Sequence, residues 1–144
     1  TFEQSVEAIE KSAAYGIKTG AHMIFGLPGE TRQDMLEEAS ILSLLPINSI
    51  KFHQLQIIKN TQMAEEYLKF PEDFHRFSLD EYVDFIVDFI EKLNPDIMIE
   101  RFAGEVPPRF LVKSDWGLIR NDQVLARIEN KLAERDTWQG KQYK

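Results

Sequence analysis

The chain has 144 residues, 43% hydrophobic and 28% charged, the balance of one globular domain with its own core rather than a disordered segment. Lys and Arg number 17 against 24 Asp and Glu, for a net charge of −7, so no overall basic field exists to gather nucleic acid. There is no cysteine, which excludes a disulfide scaffold, a Cys-ligated zinc site and a thiolate-held iron–sulfur cluster within these residues.

Thr1 is suited to cap a helix over 2–15, in which Phe2, Val6, Ile9 and Ala13 recur at helical spacing and after which Gly16 is a left-handed stop. Ile17 to Leu27 is apolar and β-prone toward its end, which predicts a buried strand closed by Gly26, Pro28 and Gly29. Thr31, with Asp34 near capping-box spacing, opens a second helix with Met35, Ala39, Leu42 and Leu45 inward, and Pro46 ends it. Ser49 to Ile58 alternates and then turns wholly apolar, the pattern of a second strand with a covered end. A short helix from Asn60 or Thr61 to Tyr67 and an aromatic loop precede Ser78, the N-cap of a long helix with Tyr82, Ile86, Phe89 and Leu93 on one face. Asn94–Pro95 stops that helix, Ile97 to Phe102 reads as a third strand, and Pro107–Pro108 forbids helix just after it. A last helix over 122–135 buries Val124, Leu125, Ile128 and Leu132, and the polar tail from Thr137 is expected to be loosely held.

Strands separated by helices imply crossover connections and a parallel sheet. Three parallel strands are too few to stand alone, so the α/β fold expected is a partial (β/α) TIM-like barrel fragment, three parallel strands with covering helices. Residues 113–144 read as a helical extension of the β/α units in 1–112. No apolar run approaches the roughly 20 residues that span a bilayer, and there is no signal-peptide pattern, so a cytoplasmic location is expected. The chain opens at Thr1 and enters a helix at once, as a segment of a longer protein would.

In such folds ligands sit at the carboxyl ends of the strands. The first such turn reads MIFGLPGET, with glycines at 26 and 29 that let a ligand approach the backbone closely, or that simply make a tight turn. It is neither a Walker loop nor a full G-x-G-x-x-G fingerprint.

The run Ile24 to Thr31, IFGLPGET, followed by an acidic amphipathic helix and a strand, resembles the G-x-P-G-E-T segment of radical S-adenosylmethionine (radical SAM) enzymes. The resemblance is to the group that holds the Elongator catalytic subunit and the MiaB methylthiotransferases. His53 to Thr61 (HQLQIIKNT), Arg101 to Glu105 (RFAGE) and Gln139 to Lys141 (QGK) resemble the YhcC-type Fe–S oxidoreductases within it. The resemblance implies a (β/α)₆ barrel of which this chain is the C-terminal half. It implies that SAM and a [4Fe–4S] cluster serve the parent, which would cleave SAM reductively to a 5′-deoxyadenosyl radical. The cluster-binding C-x₃-C-x₂-C loop would lie upstream, so this fragment alone would be inactive. The substrate is open, with tRNA suggested by analogy only.

Carried over residue by residue, Ile24, Gly26, Pro28 and Gly29 match the stretch that lies along the adenosine part of SAM. Glu30 matches an acidic position suited to bracing the turn through backbone N–H groups. His22 stands where relatives often have a carboxylate facing the ribose; it can bond a hydroxyl, or be satisfied inside the barrel. Strict alternation puts Gln54 and Gln56 on one strand face and His53 on the other. Gln56 and Ile57 are candidates for the adenine side, and Ile58 for core. Glu100, Arg101, Glu105 and Arg109 crowd the end of the third strand, Arg101 and Glu105 as candidates to face the substrate, the Arg suited to an anionic group, or all four as a mutual ion network. No metal-ligand spacing is present. The competing reading is a non-catalytic α/β interaction domain whose glycine turn is structural. A severed barrel also predicts self-association through its exposed strand edges.

Overall fold

Hydroxyl caps start the helices where the sequence places them. In the computed structural model, which describes residues 1–144, the Thr1 side chain accepts from the Gln4 backbone and opens α1, Phe2–Ala14. Thr31 and Asp34 form a reciprocal capping box at the start of α2, Arg32–Ser43. Thr61 caps α3, Gln62–Lys69. Ser78 and Glu81 box the start of α4, Leu79–Lys92, and α5 is Asn121–Glu134. Between them run β1, Gly20–Phe25, β2, Ser49–Gln54, and β3, Met98–Arg101.

The strands form one parallel sheet in the order β1-β2-β3, as the alternation of strands and helices requires. Each is shorter than its apolar run. Gly20 stands opposite Ser49 and Phe25 opposite Gln54 at the two ends of the β1–β2 ladder, and the Leu55 N–H makes its last bond, to the Phe25 carbonyl at 2.9 Å. After that the chain leaves the sheet: the Val112 N–H donates to the Ile57 carbonyl at 2.9 Å, and Ile58 bridges to Leu111.

The helices cover one face of the sheet. Phe25, Ile50 and Phe52 point into a core shared with Met35, Ala39 and Leu42 of α2 and with Tyr82, Phe85, Ile86 and Phe89 of α4. Phe25 meets Phe85 and Phe89 edge-on, with ring centroids 4.8 and 5.0 Å apart, the geometry aromatic quadrupoles favour. Val124 and Ile128 of α5 join the same cluster, so the stretch after 112 is packed on the β/α units. Asp88 of α4 accepts from Arg32 of α2 at 2.5 Å and from Arg135 at 2.6 Å, tying three elements together.

The tail corrects its expectation. The Gly140 N–H donates to the Ile90 carbonyl at 2.9 Å and the Gln142 N–H to Glu91 at 2.7 Å. The Gln139 amide donates to the carbonyls of Asn94 and Ile97 at 2.9 and 2.8 Å. Carbonyls in the last turn of a helix lack partners within it, and the tail satisfies those of α4. Polar composition alone conceals this. No helix is long and apolar enough to cross a membrane.

Candidate functional site

Two features meet at the carboxyl ends of the strands. The first is the turn after β1. The Glu30 N–H donates to the Leu27 carbonyl at 3.1 Å, with Pro28 and Gly29 between them and Gly29 at φ +83°. That is a type II turn, in which proline suits the second position and glycine the third. The Glu30 carboxylate accepts from the N–H groups of Gly26 and Leu27 at 3.2 and 2.9 Å, so it holds the turn closed. The close approach expected of a ligand at Gly26 is made instead by the protein: Gly26 sits at φ +91°, and a Cβ there would stand 2.4 Å from the His75 carbonyl oxygen. At Gly29 a Cβ would meet nothing within 4 Å.

The second feature is the sheet face without helices. His22 is exposed and stacks on His53, ring centroids 5.5 Å apart and planes at 21°. Ile24 is 45% exposed on the same face. Lys51 pairs with Glu100 at 3.1 Å across the strands, and the Ser49 hydroxyl, then Lys51, hold the Glu100 carboxyl below its usual range. His53 Nε2 is shielded from solvent and has no protein partner. Burial, then the charges of His22, Arg101 and Lys51, keep the His53 imidazole below its ordinary pKa and hence neutral near pH 7.

Strict alternation fails after β2 ends at Gln54. A Cβ on Gly104 would stand 2.9 Å from His53 Nδ1 and 3.1 Å from Gln56 Oε1, so Gln56 comes round to the His53 side. Gln54 instead clamps the loop after β3, accepting from the Gly104 N–H at 2.9 Å and donating to its carbonyl at 3.1 Å. Ile57 corrects its expectation: its side chain is 2% exposed and packs with Ala64 and Phe74, so it is core, whereas Ile58, expected to be core, is 43% exposed. The charges after β3 do not form one mutual network. Glu105 accepts from the Asn121 N–H at 2.5 Å and so holds the first turn of α5. Arg109 lies over the Phe110 ring at 4.7 Å. Arg101 makes no ion pair and sits opposite Lys51 in the sheet register. Lys51 and His53 share period-2 spacing with each other, the one signal that could have set them beside His22.

Behind the turn, Glu38 of α2 is half-buried, and burial first, then Glu30 and Asp34, push its carboxyl up to about 7. The folded chain thus holds this proton more tightly than the unfolded chain, in which the group titrates near 4.5. Its contribution is therefore full below about pH 4.5 and is lost as pH rises through 7. Glu38→Gln is expected to flatten that dependence and to raise stability at about pH 8 by about 1 kcal/mol, a figure discounted for the solvent reaching the group. Urea denaturation at acid and alkaline pH checks this.

The family described as the Radical_SAM C-terminal domain matches residues 47–134, more than half of the chain. The chain belongs to that family. It carries β2, β3 and α3 to α5 within the matched stretch, and β1 with its Pro-Gly turn just before it. Over 139 residues it is 34% identical to the protein MJ0486 of Methanocaldococcus jannaschii, covering 96% of this chain and 42% of that protein. It is 33% identical over 140 residues to YtqA of Bacillus subtilis, covering 97% of this chain and 42% of YtqA. With YhcC of Escherichia coli it shares 24% identity over 116 residues, 76% of this chain and 37% of the other. The chain therefore spans about two fifths of the curated relatives it matches. The structure of archaeal Elp3 from Methanocaldococcus infernus, lacking N-terminal residues 1–46, superposes with a TM-score of 0.76 over 95% of this chain and 32% of that one. At 15% identity that likeness concerns the fold: this radical SAM C-terminal segment has the same α/β architecture.

Proposed function

We propose that this chain is the C-terminal part of a radical SAM Fe–S enzyme, and that its helix-free sheet face and strand ends form the adenosine side of the SAM site and part of the substrate mouth. The observation that carries the reading is the one-sided sheet: helices cover one face, while the other presents His22, Ile24, Lys51 and His53 beside the Pro-Gly turn. A parallel sheet is ordinarily covered on both faces, and a barrel lumen is what a bare, mixed polar and apolar face would line. His53 Nε2, buried without a partner, fits a site that expects a hydrogen-bonding ligand. In this reading His22 and Gln56 bond the sugar or base, Ile24 gives apolar contact, the turn at Pro28 and Gly29 borders the ligand, and Glu30 fixes the turn. Arg101, uncompensated by a carboxylate, faces an anionic substrate group; Glu105 is committed to α5. Bound SAM supplies hydrogen-abstraction chemistry in the parent. The chain has no cysteine, so the cluster does not fit these residues and its ligands belong to another part of the protein.

The test is 5′-deoxyadenosine production by the full-length protein, reconstituted anaerobically with iron and sulfide and given SAM and reductant. Cluster-dependent product is expected. No product from a protein that also fails to bind SAM would sink the reading. One observation favours the rival, a non-catalytic interaction domain: Gly26 and Gly29 each have a conformational reason within the turn itself. The rival predicts a stable monomer, whereas the open edges of β1 and β3 and the bare face are expected to drive the isolated chain to self-associate, measured by sedimentation across a concentration series.

A further inference from the structure

α4 and α5 lie side by side and run the same way, joined by ion pairs at matching positions. Arg127 donates to Asp80 at 2.9 Å, Lys131 pairs with Asp84 at 3.2 Å, and Arg135 donates to Asp84 at 2.9 Å and to Asp88 at 2.6 Å. Both rows recur every four residues, close to one helical turn, so each lies along one side of its helix. The apolar contact has the same period. Val124 and Ile128 are the buried residues of α5, and Leu132, four further on, is partly buried against the same core.

An interface with that period fits itself again after a shift of one turn. With α5 moved four residues toward its own N-terminus, Ile128 takes the place of Val124 and Leu132 that of Ile128. Lys131 then faces Asp80, and Arg135 faces Asp84, which it already touches, while Asp88 keeps Arg32. The opposite shift would bring Arg120 to the buried place of Val124, which excludes it. The interface is also loosely filled: Asp80 and Val83 of α4 and Arg127, Asn130, Lys131 and Glu134 of α5 line a gap of about 180 Å³. Ion pairs as exposed as Arg127 with Asp80 are weak and re-form with new partners.

The tail is what distinguishes the two registers. On α4 the apolar row of Val83 and Val87 breaks at Glu91, which is nonetheless buried. Its carboxylate accepts from the Thr137 hydroxyl at 2.5 Å and from the Gln142 amide, and its carbonyl accepts from the Gln142 N–H. One turn along, the residue in its place is Val87, which offers no side-chain acceptor.

We propose that α5 has two registers on α4, one turn apart, and that residues 137–142 are the lock that selects the observed one. Release of the tail lets α5 advance by a turn, about 5.4 Å, a known form of conformational switching between packed helices. The loop after β3 moves with it, because Glu105 in that loop accepts from the Asn121 N–H in the first turn of α5. The register of α5 thereby sets the shape of the protein beyond the ends of β2 and β3. The proposal rests on helix packing and not on the SAM reading.

The experiment is double electron–electron resonance on the full-length protein, with spin labels carried by unnatural amino acids at Asp96, beyond the end of α4, and at Glu129 of α5, both exposed. The otherwise unaltered protein is expected to give one distance. Glu91→Leu combined with Gln139→Ala removes side-chain bonds of the lock and continues the apolar row of α4, and should add a second distance about 5 Å longer. Removal of residues 137–144 should do the same but can unfold the end of α4, which the double variant avoids; wild-type far-UV circular dichroism checks that it is folded. Leu132→Asp added to the double variant should erase the second distance, because only the advanced register carries residue 132 to the fully buried place of Ile128. A single unshifted distance in the double variant overturns the proposal. So does a broad spread of distances, or a second distance that survives Leu132→Asp, since either means that α5 frays and does not slide.

Discussion

Replacing Gly26 by alanine is expected to destabilise the chain by about 3 kcal/mol, while the same change at Gly29 costs about 1 kcal/mol. Both glycines sit in the left-handed region, at φ +91° and +83°, where a Cβ is disfavoured. They differ in surroundings. At Gly26 the added methyl would lie 2.4 Å from the His75 carbonyl oxygen, a backbone atom that cannot swing aside, whereas at Gly29 it meets nothing within 4 Å. The His75 loop is itself tied to the turn, since the Gly29 N–H donates to the Asp73 carbonyl at 3.0 Å. Relief of the clash thus requires both to move. Urea denaturation of the two variants checks the difference; equal losses would mean that the loop yields freely. The contrast also assigns the informative position for ligand binding. A fall in SAM affinity at Gly26→Ala would be entangled with stability, while at Gly29→Ala a loss of affinity beyond the small stability cost supports a turn that borders the cofactor.

What the sequence makes legible is local. The caps Thr1, Thr31, Thr61 and Ser78 act within three residues of themselves, and the inner stripes of α2 and α4 follow one periodicity, so the helices and the order of strands can be read directly. The Pro-Gly turn and the Glu30 brace are equally local, reaching no more than four positions along the chain. What escapes is decided by partners distant in the chain. β2 stops at Gln54 because β1 has ended opposite it, and with the strand ends the alternation that would have separated His53 from Gln56. Ile57 and Ile58 exchange their expected places because Val112 bonds the Ile57 carbonyl and Ala64 and Phe74 cover its side chain. The tail docks because the last turn of α4 needs donors, a demand no residue of TWQGKQYK announces.

Phe89→Ala is expected to cost about 3–5 kcal/mol, the largest loss from any of these single substitutions. The ring is 0% exposed and packs edge-on against Phe25 of β1 and Phe52 of β2, centroids 5.0 and 5.3 Å away, so it joins α4 to both strands at once. Its neighbours are themselves wedged: Phe25 also meets Phe85, and Phe52 also meets Phe102 beyond β3. Rings wedged on both strands cannot move far to fill a cavity left there, which places the cost toward the upper end of the range. Ile24→Ala supplies the control. Ile24 belongs to β1 as Phe25 does, but it projects from the other face and is 45% exposed, so its loss should change stability by no more than about 0.5 kcal/mol. Chemical denaturation of the two variants therefore measures how one-sidedly the sheet is held. A wild-type midpoint for Phe89→Ala would mean that the strands are secured from the bare face, which is then an interface rather than a ligand wall. The opposite pattern, a heavy loss at Phe89 with Ile24 neutral, leaves the bare face free of structural duty, and a change in SAM affinity at Ile24 in the full-length protein can then be read as contact.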